Sequence, residues 1–204
     1  MPILETHRQY RRMRRTYRLV VPALIRFGWK LPARLQRRTV HLDPDFAELT
    51  YGDSGERAKQ IQQKLRSGDL IVFYAGLRTE PPRRRLVYAL IGIYVIASVR
   101  PADEIPKCEW DRNAHTRRFQ RPRKQEVIVM GKPRLSGRLK RCIPIGSFRR
   151  KAYRVMPALI RTWGGLTVKG GYLQRSARLP EFRNAGRFYA WFKRQGVRLV
   201  RHNH

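Results

Sequence analysis

The stretch "LVYALIGIYVIASV", Leu86 to Val99, runs for 14 residues without a charge. A bilayer-spanning helix needs about 20 apolar residues, so this run is too short to cross a membrane. Its Val, Ile and Tyr content suits a pleated, buried backbone, and it predicts a strand or strand pair covered on both faces. The rest of the chain must supply that cover. "DLIVFYAGL" (Asp69 to Leu77) predicts a neighbouring strand, and "EPPRRR" between the two is a turn that no central strand can contain. "EVIVMG", "SGRLKRCIPIG" and the closing "VRLV" read as further strands.

Helices are fewer. "DSGERAKQIQQKLRSGD" predicts a short one, with Asp53 as its cap, Glu56 three residues on, Leu65 at its end and Gly68 at the C′ position. A second is expected over Leu179 to Gln195, where Phe182, Phe188, Tyr189, Trp191 and Phe192 lie at mixed helical spacing. "PADEIPKCEWDRNAHTRR" reads as a loop. Strands outnumber helices, which predicts an α+β fold with a curved, largely antiparallel sheet or a small β-barrel and peripheral helices. "YRLVVPALIR" (Tyr17 to Arg26) echoes "YRVMPALIR" (Tyr153 to Arg161). Two short copies with one inserted residue fall short of a repeat architecture.

Charge bounds the function more tightly than the fold. The chain has 204 residues, 46 of them Lys or Arg against 14 Asp or Glu, for a formal net charge of +32. Such a surface binds phosphates by counterion release without further design. Arg outnumbers Lys by 36 to 10, and Arg is the better bidentate phosphate ligand, although a GC-rich genome produces the same bias. The charge is uneven: residues 1–40 carry +10, residues 41–53 carry −4 and residues 54–204 carry +26. Residues 1–38 are therefore expected to be a basic N-terminal arm, and residues 39–204 a single domain. No apolar leader precedes a cleavage site, and Cys108 and Cys142 lack the spacing of a disulfide framework or a zinc knuckle. A cytoplasmic location follows as the default, with the thiols buried or incidental.

The one acidic island is "HLDPDFAELTYGD", His41 to Asp53. His41 and Asp43 are candidates for general acid/base work. His41, Asp43 and Asp45 also have metal-ligand chemistry, yet no second His–carboxylate pair at helical spacing completes a set, so no metal and no cofactor is expected. The plainer reading is a turn fixed at Asp43–Pro44, with carboxylates bonding amides. In "TYGD", Tyr51 offers a stacking face and Asp53 an acceptor for a base edge. The plainer alternative there is a core tyrosine and a helix cap.

Other constellations sit in basic surroundings. "FYAGLR" brings Tyr74 and Arg78 to a strand end, with Gly76 permitting close approach. "NAHTRR" packs His115, Arg117 and Arg118 into a loop, where base and phosphate contacts are often made. "KGGYLQRSARLP" has two glycines that can expose amides to an anion, followed by Arg175 and Arg178, without the spacing of a Walker motif. The candidate base-binding set is thus Tyr51, Asp53, Tyr74 and His115. The candidate phosphate-binding set is Arg78, Arg117, Arg118, Arg175 and Arg178.

In order along the chain, "HLDPDFAELTYGD", "SGDLIVFYAGLR", "YALIGIYVIASV", "NAHTRR" and "GGYLQRSARLPEF" resemble the nucleotide-modification-associated domain 3 family, over roughly residues 39–200. The resemblance implies a link to modified bases in nucleic acid. The strand-rich layout is also similar to the small β-barrels of the PUA, EVE and ASCH group, which implies a base pocket at a barrel mouth, an analogy of fold alone. The leading expectation is a nucleic-acid-binding module that recognises a base, modified or not, in DNA or RNA. The alternatives are an enzyme acting on nucleotides or bases, and a ribosome-associated RNA-binding protein.

Overall fold

A computed structural model describes residues 16–26, 28, 30–38, 41–78, 86–117, 125–149, 151–173 and 178–203. In chain order its elements are α1 (Val21–Arg26), α2 (Ala33–Gln36), β1 (Thr50–Ser54), α3 (Gly55–Lys64), β2 (Leu70–Arg78) and β3 (Leu86–Pro101), then β4 (Glu126–Gly131), β5 (Gly137–Arg149), β6 (Ala152–Val155), α4 (Pro157–Thr162), α5 (Ala185–Arg194) and β7 (Leu199–Val200). The fold class is α+β, and the pairings described are antiparallel. Among the described residues the seven strands do not close on themselves. The barrel alternative is therefore corrected to an open sheet. No described helix is long and apolar enough to cross a membrane.

The chain divides into two compact units, and the division falls inside β3. Unit 1 comprises Met1–Arg66, Ala97–Met130 and Arg201–His204. In it, β1 pairs with β4 in the register Thr50↔Met130, Gly52↔Ile128 and Ser54↔Glu126. The alternation of β4 buries Val127 and Val129 on one face, while Ile128 on the other packs with Ala102 and Ile105. Helix α3 buries Ala58 and Ile61, three residues apart on one side. The turn before β1 is held by Asp45, whose Oδ1 accepts the Ala47 and Glu48 amides and the Asn203 side-chain amide at 2.9 Å. Asn203 Oδ1 in turn accepts the Phe46 amide at 2.7 Å, tying the end of the chain to this turn.

Unit 2 comprises Ser67–Ile96 and Gly131–Val200. Strand β3 lies between β2 and β5, β5 continues antiparallel to β6, and β7 pairs with the start of β5. Close approach of β5 and β6 needs Gly146, because a β-carbon there would run into the Arg154 carbonyl. The core joins Leu90, Ile93, Leu139, Ile145 and Val155 of the sheet to Phe188, Trp191 and Phe192 of α5. The i, i+3, i+4 spacing of these three aromatics makes the stripe that seats the helix. Burying a side chain such as Phe188 contributes roughly 1.5–3 kcal/mol. Trp163 meets Phe188 and Trp191 edge to face at 5.3 and 5.1 Å.

Three local expectations change. "TYGD" is strand β1 rather than a helix entry, because it finds a β4 partner. The helix expected from Leu179 begins at Ala185, where Asn184 caps it by accepting the Arg187 amide. Strand β6, not anticipated, lies where the second near-repeat copy begins. The "PALIR" portion is helical in both copies, while Tyr17–Arg18 and Tyr153–Arg154 adopt different structures. Both cysteines are free and exposed, so the thiols are not core residues. Residues 1–15, 27 and 29 of the basic arm lie outside the described residues, and the described part carries α1 and α2.

Candidate functional site

Four polar side chains converge in unit 1. His41 and Asp43 come from the segment before the Asp45 turn, His115 from the loop after a short 3-10 helix at Lys107–Arg112, and Glu126 from the first position of β4. His115 Nε2 lies 3.2 Å from Asp43 Oδ2, and His41 Nε2 lies 3.7 Å from the same oxygen. The two imidazole centroids are 5.5 Å apart. On the far side of the His115 ring, Nδ1 is 3.9 Å from Glu126 Oε2. The Asp43, His115 and Glu126 side chains are all largely removed from solvent, whereas His41 keeps 24% of its side-chain exposure. His41 is thus the solvent-facing member of the group.

Backbone and neighbouring side chains fix this geometry. The Gly52 amide of β1 donates to Asp43 Oδ1 at 2.7 Å, which leaves Oδ2 turned toward the two rings. The Asn113 side-chain carbonyl accepts the His115 amide at 2.8 Å, and its amide nitrogen donates to the Thr50 hydroxyl at 3.1 Å. That hydroxyl donates to the Arg112 carbonyl at 2.6 Å. Strand β1 and the His115 loop are therefore joined through buried hydrogen bonds. Burial pushes the Asp43 carboxyl above the usual carboxylate range, opposed by its contact with His115 and by the Gly52 amide.

Tyr51 and Asp53 stand on the same strand. The Tyr51 hydroxyl donates to Asp53 Oδ2 in a short contact. Asp53 Oδ1 accepts the Ser54 amide at 2.8 Å and pairs with Arg57 at 3.1 Å. Asp53 is a strand residue, and helix α3 is capped at Ser54 without a side-chain bond, so the capping role expected of Asp53 does not occur. Burial and the Asp53 charge raise the Tyr51 phenol above its ordinary value.

Among the sequence candidates, His41, Asp43, Tyr51, Asp53 and His115 all lie in unit 1 around β1. Tyr74 and Arg78 belong to β2 in unit 2. Arg78 and Arg178 are exposed. Arg117, expected to hold phosphate, is buried instead: Nη1 donates to the Asp111 carbonyl at 2.6 Å, which uses the guanidinium to brace its own loop. Arg118 and Arg175 lie outside the described residues. Glu126, Gly52 and Asn113 were not anticipated. The signal for Glu126 was available, since it is a lone acid heading an otherwise apolar strand.

Unit 2 carries a second notable surface. Tyr74, Tyr88, Tyr153 and Phe148 form a row of rings with successive centroids 5.4, 4.1 and 4.9 Å apart. Phe148 is 52% exposed. Arg149 and Lys151 beside it are exposed, and Arg154 stands over the Tyr172 ring at 5.3 Å.

A family model described as nucleotide modification associated domain 3 matches residues 5–187. The match begins inside the basic N-terminal segment. No curated protein and no solved structure matches the chain.

Proposed function

Because this chain belongs to the nucleotide modification associated domain 3 family, we propose that it binds nucleic acid and acts on a base, with His41, Asp43 and His115 at its reactive centre. The observation that carries this reading is the Asp43 carboxylate held beside two imidazoles, 3.2 Å from one and 3.7 Å from the other, in a largely buried setting. Polar groups of this kind are costly to bury and are found where chemistry needs them. A net charge of +32 supplies the affinity for phosphate, with Arg78 and Arg178 among its exposed contributors.

Reading a base edge through Asp53 is less favoured by this geometry. Both carboxylate oxygens already serve Tyr51, Ser54 and Arg57. Recognition without turnover remains the second reading, supported by the aromatic row that ends in exposed Phe148. Rings beside cations bind single-stranded bases by stacking.

The test is nucleoside analysis by mass spectrometry after incubating the full chain with plain and modified DNA and RNA. We expect a changed nucleoside with the native protein and none with Asp43→Asn, while salt-dependent retention of nucleic acid persists in both. Unchanged nucleosides across that panel, with binding intact, would leave recognition alone. Loss of binding at physiological salt by the native chain would overturn both readings.

A further inference from the structure

We infer that His41, Asp43 and His115 form a binding site for one divalent transition-metal cation of borderline softness, such as Zn²⁺. The inference deepens the reading above and rests on the same cluster being the reactive centre. Each residue offers one ligand atom, and these atoms all lie within 4.8 Å of one another. Ligands about 2.0–2.1 Å from a tetrahedral ion stand roughly 3.3 Å apart. The His115–Asp43 and His41–Asp43 separations of 3.2 and 3.7 Å bracket that spacing. The separations in the set reach no more than 4.8 Å, so the partly exposed His41 ring must move inward to complete it.

The donor chemistry selects the class of ion. Two imidazole nitrogens and one carboxylate suit zinc and its neighbours, whereas magnesium and calcium prefer all-oxygen shells. Three protein ligands leave at least one position open, as in catalytic rather than structural sites. Glu126 Oε2 stands 3.9 Å from Nδ1 of His115, longer than a hydrogen bond, on the side of the ring where an outer-shell carboxylate would act once Nε2 holds an ion. The Gly52 amide holds Asp43 Oδ1 and so presents Oδ2 to the ion. The Asn113 carbonyl holds the His115 backbone in place.

Charge points the same way. Asp43 and Glu126, both largely buried, flank the His115 ring. A dication placed there balances two carboxylates that are otherwise expensive to bury. An ion bound there would act as a Lewis acid beside His41, the member of the group open to solvent.

The experiment uses the 204-residue chain, stripped with chelator and titrated separately with Zn²⁺, Co²⁺ and Mg²⁺. Metal content is read by elemental analysis and Co²⁺ coordination by visible absorption. We expect about one equivalent of Zn²⁺ or Co²⁺, with ligand-field bands of a nitrogen- and oxygen-bound ion, and no saturable Mg²⁺ binding. His41→Gln, at the partly exposed ligand, should keep the native circular dichroism and weaken the ion at least ten-fold. Glu126→Gln should weaken it by roughly 10–100-fold through the outer shell. Failure of the native chain to take up Zn²⁺ or Co²⁺, binding of Mg²⁺ alone, or native affinity in a folded His41→Gln would each overturn the inference. The two readings separate cleanly. Base conversion without metal uptake would sink the metal site and spare the function. Stoichiometric uptake lost in His41→Gln, with nucleosides unchanged, would do the reverse.

Discussion

Gly52 lies so close to the His115 ring that a β-carbon on it would overlap the imidazole and stand only 2.8 Å from Asn113 Oδ1. The glycine is there for space rather than for an unusual backbone angle, since it is an ordinary strand residue paired with Ile128. Gly52→Ala must push the ring, the strand or both. Overpacking of this kind costs roughly 1–3 kcal/mol. That corresponds to a fall of about 2–12 °C in Tm for a chain of this size. Thermal unfolding followed by circular dichroism reads it, and an unchanged Tm would mean that His115 does not sit against β1.

Asn113 should behave as a structural strut whose loss is felt at both ends. Its carbonyl serves His115 and its amide serves Thr50, and both groups are buried. Asn113→Ala leaves a buried donor and a buried acceptor short of a partner, at about 1–3 kcal/mol each. Thr50→Val removes the hydroxyl that both donates to Arg112 and accepts from Asn113. The pair should be non-additive by at least about 0.5 kcal/mol in a double-mutant cycle of denaturant unfolding. Strict additivity would show that the two side chains act independently.

The strand framework could be read from the sequence because period and composition are local properties. Leu86–Val99 became β3, Asp69–Leu77 became β2, and "EVIVMG" became β4. The start of α5 was misjudged because Phe182 mimics helical spacing while pairing with Leu166 in an isolated bridge. Strand β1 was missed because its five residues, "TYGDS", have no strand signature of their own and depend on β4. The same limit applies to the cluster. His41 and Asp43 stood out as an acidic island in a basic chain. Their union with His115 and Glu126 is set by tertiary packing, which no spacing rule encodes. A metal was set aside on sequence grounds because no second His–carboxylate pair at helical spacing completed the His41, Asp43 and Asp45 set, and the fold brings His115 to Asp43 from a distant loop.

If the aromatic row of unit 2 stacks on bases, Phe148→Ala should weaken binding to short single-stranded oligonucleotides by about 1–3 kcal/mol. The slope of affinity against salt should stay as it was, because no phosphate contact is lost. Arg78→Ala and Arg178→Ala should instead each lower that slope by up to about one. Fluorescence anisotropy at several salt concentrations separates the two effects. Equal affinity for native and Phe148→Ala protein would remove the aromatic row from the binding surface.

Tyr51 should govern stability on the alkaline side. Its phenol is raised above the ordinary value of 10.0, first by burial and then by the neighbouring Asp53 charge. In the unfolded chain it ionises near 10, while in the folded protein it holds its proton to higher pH. Over that interval the native state binds more protons than the unfolded state, so stability falls as pH rises. The contribution of the neutral phenol is complete below the unfolded value and is lost above it, at up to about 1.4 kcal/mol per pH unit. Tyr51→Phe removes the donor to Asp53 and should cost roughly 1.5–3 kcal/mol at neutral pH, because the acceptor is a buried carboxylate. The variant has no phenol to ionise. The gap between native and variant protein should therefore stay constant up to about pH 9 and narrow above pH 10. Urea unfolding at pH 8, 9, 10 and 11 measures it, and a gap that stays constant to pH 11 would show that the Tyr51 hydroxyl is not held against Asp53.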